Sequence, residues 1–257
     1  MVSLTLFSQE VEWSQTYGGS GMEWGQSIKK TNDGGYIIVG GTNSYGNGEY
    51  DVYLIKVDSG GNEEWSSVLG DDFYQFGVDV QQTTDGGYVV WDGNNGQLTK
   101  TDNLGGVLWV SSHNVHYGSG GGISVQQTGD GGYVVCGETG SYVSVFNGLS
   151  FEDQLISYDM YLVKTDSFGV VQWSNQFGGD EDDYGMFVKQ TDDGGYIVVG
   201  GTKSYSNDED IYVVKTNEDG IKLWGKTYGG IDVDRGYSIQ ETSDGGYVIV
   251  GQTSSCC

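Results

Sequence analysis

Proline is absent from all 257 residues, and cysteine, lysine and arginine are scarce. Without proline, and with 46 glycines beside many tyrosines, valines and isoleucines, the composition describes many short strands joined by turns. A sustained helical period is missing as well, which argues against helices. The three cysteines, Cys136, Cys256 and Cys257, give neither a disulfide framework nor a zinc spacing. Cys136 stands where related stretches have Val39 and Val199, and reads as a small core residue. Cys256 and Cys257 end the chain, where fraying is the default, and carry no assigned function.

Only 11 lysines and arginines oppose 36 aspartates and glutamates, a formal net charge of −25. That field repels nucleic-acid phosphates and anionic membrane surfaces, so nucleic acid is not an expected partner. No apolar run is long enough to span a bilayer, and membrane insertion is not expected. The same charge attracts cations, with Ca²⁺ favoured where carboxylates and loop carbonyls converge; the plainer reading is a solvated acidic surface. No cofactor is required. GxGxxG motifs, phosphate loops and nucleophile elbows are all missing, and the Gly-Gly pairs read as turn glycines.

What is present is a repeat. DGGYIVVGGT at Asp193–Thr202 recurs as DGGYIIVGGT (Asp33–Thr42), DGGYVVWDGN (Asp85–Asn94), DGGYVVCGET (Asp130–Thr139) and DGGYVIVGQT (Asp244–Thr253). Asp-Gly suits a two-residue hairpin turn with positive φ at both central positions, and the apolar run after it has strand composition. The Asp is read as a loop-shaping residue. Trp13, Trp65, Trp109, Trp173 and Trp224 recur at spacings of 52, 44, 64 and 51 residues. A unit of roughly 50 residues holding four short strands matches a propeller blade and is too long for a β-helix coil. Tyr196–Val199 and Ile211–Val214 are apolar on both faces, as stacked blades require.

The sequence therefore predicts one all-β domain over 1–257, a five-bladed β-propeller of four-stranded antiparallel blades. Its repeats are 17–69, 70–113, 114–177, 178–228, and 229–257 completed by 1–16. Inner strands Ser27–Thr31, Val78–Thr83, Ile123–Thr128, Met186–Thr191 and Tyr237–Thr242 would line the channel. The DGGY strand, a Tyr-rich strand and the Trp strand would follow outward. Unit two is degraded, with Gly96–Thr101 in place of the Tyr-rich run. The last unit lacks its third and outer strands, and Val2–Phe7 with Glu12–Thr16 would complete it and remove both open edges. The alternatives are a fragment of a longer array, and a signal remnant over residues 1–9.

The runs DGGY(I/V)(I/V)VGGT, D(V/I)Y(L/I)(I/V)K and GxxxW resemble those of secreted and cell-surface β-propeller-repeat proteins of bacteria and archaea. The resemblance covers nearly the whole chain. It implies an extracellular or cell-surface location and a scaffold or binding role, in a family mostly without assigned activity. Unit two and a long insertion in unit three depart from its pattern.

Two sets of loops should share one rim and gather carboxylates beside aromatics. Trp24, Tyr45, Tyr74, Tyr184 and Tyr205 are candidate ligand-stacking residues there, and Asp182, Asp183, Asp232 and Asp234 are candidate cation ligands. The insertion Gly140–Asp159 has 20 residues where unit four has 8. Its apolar residues should fold over the channel mouth or neighbouring blades, or leave Phe146 and Phe151 partly exposed as a docking patch. The expected function is a non-catalytic extracellular binding scaffold, monomeric, taking a glycan or an extracellular protein as partner. The alternative is a propeller glycoside hydrolase, which needs two carboxyls about 5–5.5 or 6.5–9.5 Å apart on the channel. Asp79 and Glu241 are the acidic inner-strand residues available. His113 and His116 read as surface histidines, with no third ligand for a metal.

Overall fold

A computed structural model describes residues 12–257 except 114, 116–123, 147–150, 207 and 255–257, with the side chains of 143–146 and 151–153 also outside the description. Every described element is a strand. The first blade is β1 (Glu23–Lys30), β2 (Tyr36–Thr42), β3 (Asp51–Val57) and β4 (Glu63–Leu69). The second is β5 (Gly77–Gln82), β6 (Tyr88–Asp92), β7 (Gln97–Thr101) and β8 (Val107–Ser112). The third is β9 (Ser124–Gln127), β10 (Tyr133–Phe146), β11 (Phe151–Thr165) and β12 (Val171–Phe177). The fourth is β13 (Asp183–Gln190), β14 (Tyr196–Thr202), β15 (Asp210–Thr216) and β16 (Lys222–Tyr228). Each is a four-stranded antiparallel meander, and β17 (Asp234–Glu241) with β18 (Tyr247–Thr253) forms a two-stranded sheet beside them.

The repeat motif explains the hairpin between inner and second strands, though not through the expected turn. Asp33 has negative φ and only Gly34 takes the left-handed conformation, at φ 89°. Thr31 N–H donates to Gly35 O and Gly34 N–H to Thr31 O, so the connection is a three-residue loop closed by a glycine bulge. Asp33 bonds inward, accepting from the Thr31 hydroxyl at 2.5 Å and from Gly35 N–H at 3.0 Å. The tandem glycine of VGGT has a separate cause. A bulge in β1 presses the Trp24 carbonyl within 1.8 Å of where a Cβ on Gly40 would lie, and the Trp24 ring lies over Gly41. Gly200 and Gly201 meet Tyr184 in the same way.

A lysine on the third strand then locks each blade. Lys56, Lys100, Lys164 and Lys215 are 3–4% exposed. Their ammonium groups reach Asp33, Asp85, Asp130 and Asp193 at 2.9, 3.0, 2.8 and 2.9 Å. The Thr191 hydroxyl and Lys215 hold the Asp193 carboxyl down at about 2.

Blades join through rings and amides. Trp65, Trp109, Trp173 and Trp224 stand edge-on to Tyr88, Tyr133, Tyr196 and Tyr247 of the following sheet, with centroids 5.4–6.0 Å apart. At the inner end, Asn32, Thr84, Gly129 and Asp192 donate backbone N–H to Gln82, Gln127, Gln190 and Glu241 of the next inner strand. Residues of β1, β5, β9, β13 and β17 line a central cavity of about 450 Å³, Lys29, Asp79, Gln126, Lys189 and Gln240 among them.

The blade count expected from the sequence is corrected: among the described residues there are four complete blades and a fifth, two-stranded sheet. Glu12–Thr16 is not a strand, and Val2–Phe7 lies outside the described residues. Trp13 nevertheless sits on Tyr36 at 6.1 Å, in the place the other tryptophans take on their next blade. Lys30 pairs with Tyr36 as Gln82 pairs with Tyr88, so a donor stands where the other seams place an acceptor. The insertion of unit three is not an irregular loop among the described residues, and its strand β11 reaches the neighbouring blade where Tyr158 N–H donates to Asp182. The insertion extends β10 and β11 into one long hairpin, paired from Tyr133↔Thr165 to Phe146↔Phe151.

Candidate functional site

The two loop sets meet at one rim. Asn43 N–H donates to Met22 O, Gln75 to Tyr50 O, Lys203 to Asp182 O and Asp234 to Glu209 O, which ties each loop after a second strand to the loop entering an inner strand.

Over the first two blades this rim carries an aromatic cluster. Trp24 lies 5.1 Å from Tyr50 and 6.2 Å from Phe76, and Tyr74 lies 5.2 Å from Tyr50 and 5.9 Å from Phe76, mostly edge-on. Trp24 is half-buried, whereas Tyr74 is 41% and Phe73 69% exposed. Such a surface presents apolar ring area with phenol hydroxyls at its border, the composition of a platform for a ligand with apolar faces and hydroxyl edges. Tyr50, Phe73 and Phe76 were not among the residues singled out from the sequence. Their aromatic neighbours at 24 and 74 were the available signal.

The other ring candidates are placed differently. Tyr45 is part-exposed and packs on Tyr53 at 5.7 Å. Tyr205 is part-exposed, packs on Tyr212 at 5.3 Å and donates its hydroxyl to Gly178 O. Tyr184 is 4% exposed, so it offers no stacking face, and its hydroxyl donates to Glu209. Arg235 grips the same carboxylate with Nε at 2.6 Å and a terminal nitrogen at 3.0 Å. Burial and the Glu209 hydrogen bond push the Tyr184 phenol well above its ordinary range. Phe146 and Phe151 end the paired strands of the long hairpin, and their side chains lie outside the described residues.

The four candidate cation ligands divide by exposure. Asp182 is half-buried, pairs with Lys203 at 3.2 Å and accepts from Tyr158 N–H; Asp232 is exposed. Asp183 and Asp234 are 0% and 2% exposed. Among the described residues no three His, Cys, Asp or Glu side chains converge. Burial raises two other rim carboxyls, Asp92 to about 6 and Glu138, with Asp182 adding repulsion, to about 7.

On the channel, Asp79 accepts from the Ser27 hydroxyl at 2.8 Å and Val125 N–H at 3.1 Å and faces Lys29 at 3.3 Å. Glu241 accepts from Asp192 N–H. Both acids are held by neighbouring sheets. His113 is no surface residue: it stacks on Trp91 at 6.0 Å, and burial lowers its pKa. His116 lies outside the described residues. Cys136 is fully buried, and burial pushes its thiol up to about 12.

No protein-family model and no curated protein matches the chain. Among solved structures it is similar to a protein of unknown function from Bacteroides caccae, with TM-score 0.53 and 10% identity over 84% of this chain and 71% of that one. A puromycin hydrolase matches with TM-score 0.46 and 11% identity over 89% of this chain and 33% of its own. The V. cholerae biofilm matrix protein Bap1 matches with TM-score 0.34 and 14% identity over 88% of this chain and 44% of its own. At these identities the likeness is one of fold alone.

Proposed function

We propose that the chain is a non-catalytic binding scaffold of the cell exterior, which takes a glycan on the aromatic rim of its first two blades. The observation that carries this is the cluster of Trp24, Tyr50, Tyr74 and Phe76 with Phe73 and Tyr74 open to solvent. Sugar rings offer apolar C–H faces for such rings and hydroxyls for the adjoining Asp71 and Asp72. The resemblance of the repeats to secreted propeller proteins supports the location. The hydrolase alternative loses support because Asp79 is bound by Ser27, Lys29 and Val125, which leaves it poorly placed to exchange a proton or attack a sugar.

A glycan array paired with an assay for reducing-sugar release tests the reading. Binding without sugar release is expected, weakened at least roughly tenfold in a Phe73→Ala/Tyr74→Ala double variant whose melting temperature is intact. Unchanged binding in that variant moves the site elsewhere, and sugar release overturns the non-catalytic reading.

A further inference from the structure

Two of the seams between blades carry a pair of buried carboxylates that the rim reading does not use. The chain leaves β4, β12 and β16 through Gly70, Gly178 and Gly229, each within a side chain's reach of one residue from the third strand behind and one from the inner strand or loop ahead. A Cβ on Gly178 would meet Asp159 Oδ1 at 2.2 Å and Asp183 Oδ2 at 2.4 Å. One on Gly229 would meet Asp210 Oδ1 at 1.9 Å and Asp234 Oδ2 at 2.8 Å. At Gly70 the corresponding atoms are Asp51 Oδ1 and Gln75 Oε1, both at 2.4 Å. The first two seams thus bring two acids to one point, and the third brings an acid and a neutral amide.

These acids are 9%, 0%, 7% and 2% exposed for Asp159, Asp183, Asp210 and Asp234. The protein uses part of their capacity. Asp183 Oδ2 accepts from Gly179 N–H at 2.9 Å and the Ser204 hydroxyl at 2.6 Å, Asp159 Oδ2 from the Ser141 hydroxyl, and Asp234 Oδ2 from Gly230 N–H at 2.8 Å. Among the described residues, Asp159 Oδ1, Asp183 Oδ1 and Asp210 Oδ1 are buried with no hydrogen-bond partner. Cationic side chains near this rim are committed elsewhere, Lys203 to Asp182 and Arg235 to Glu209. At the Asp159–Asp183 seam two desolvated carboxylates face each other with no cationic side chain paired to either among the described residues, which is costly, since buried charges are ordinarily paired or coordinate a metal.

We propose that the Asp159–Asp183 seam binds a calcium-type divalent cation, that Asp210–Asp234 is a second such site, and that Gln75 has made the Asp51 seam independent of metal. Hard oxygen ligands contributed by two carboxylates, with carbonyls and water to fill the shell, suit Ca²⁺ better than a soft metal. Anchored on two blades at once, the ion would clamp neighbours that otherwise repel. Two carboxylates per site imply weak binding, with a dissociation constant of roughly 10⁻⁴–10⁻³ M, in the range of extracellular modules.

The test uses the whole chain, stripped with chelator and titrated with CaCl₂ at fixed ionic strength, read by calorimetry and by thermal unfolding, with Tb³⁺ luminescence as an independent probe. Two saturable sites and a rise of roughly 5 °C in melting temperature that matched NaCl does not reproduce are expected. Asp159→Asn should remove one site while leaving the metal-free protein at least as stable, because it removes repulsion. Gln75→Asp should create a third site. Equal effects of CaCl₂ and NaCl without a Tb³⁺ signal would overturn the proposal. So would metal-free stability that climbs with acidification and no calcium response, since the pair would then share a proton.

Discussion

β14 and β18 are nearly the same sequence, YIVVGGT and YVIVGQT, and they lead opposite lives. Every residue of β14 is buried between its neighbours, whereas in β18 Val248 and Val250 are 54% and 64% exposed. Both hairpins form the same turn, and Asp244 accepts from Thr242 and Gly246 as Asp193 does from Thr191 and Gly195. What differs is the next strand. β15 brings Lys215 onto Asp193 and covers the sheet, while among the described residues Asp244 meets no lysine and β18 has no outer neighbour. The motif therefore specifies a hairpin, and a blade needs the strands that follow.

The largest test of this contrast is to delete the lysine lock. Lys215→Ala should cost about 3 kcal/mol, since it removes a buried stem and three hydrogen bonds to Asp193 and Thr216, and Asp244→Ala in the open sheet should cost about 1 kcal/mol or less. Equal losses by chemical denaturation would show that the lock contributes no more than the turn.

A second test is pH. Asp193, held at about 2 in the fold, contributes stability that is present above the ordinary carboxylate range and is lost as pH falls from about 4 through 2. Glu138, raised to about 7, acts in reverse: its contribution is complete below about 4 and is lost as pH rises through 7. Stability should therefore peak on the acid side of neutrality. Glu138→Gln should gain on the order of 2 kcal/mol at pH 8 and close to nothing at pH 4. A gain independent of pH would place the effect in packing instead.

The smallest effect sharpens the open seam. Lys30→Gln supplies the acceptor that Gln82, Gln127 and Gln190 provide at the other seams, and should stabilise the fold by about 0.5–1 kcal/mol. No change in denaturation midpoint would mean that the turn before β18 does not come within reach of β1.

The rim was partly legible. Trp24 and Tyr74 stand in the cluster they were expected to join, because loops of one repeat position fall on one end of stacked blades. Tyr184 resembles them in sequence, yet Glu209 and Arg235 close over it, and that contact joins residues 25 and 26 positions apart. Asp183 and Asp234 were singled out with their chain neighbours Asp182 and Asp232. Their spatial partners are Asp159 and Asp210, from the preceding blade, a pairing that adjacency in sequence does not show.

The sequence by itself determined the all-β class, the four-strand unit, the turn positions and the burial of Cys136, since these follow from local periodicity and from residues that tolerate few backbone states. Tertiary structure decided how many units become blades, where the unit-three insertion goes, and which acids face one another. Those depend on edges, neighbours and the few cations available: a strand is buried only if another sheet covers it, and a carboxylate's role is set by the charge that reaches it across a seam.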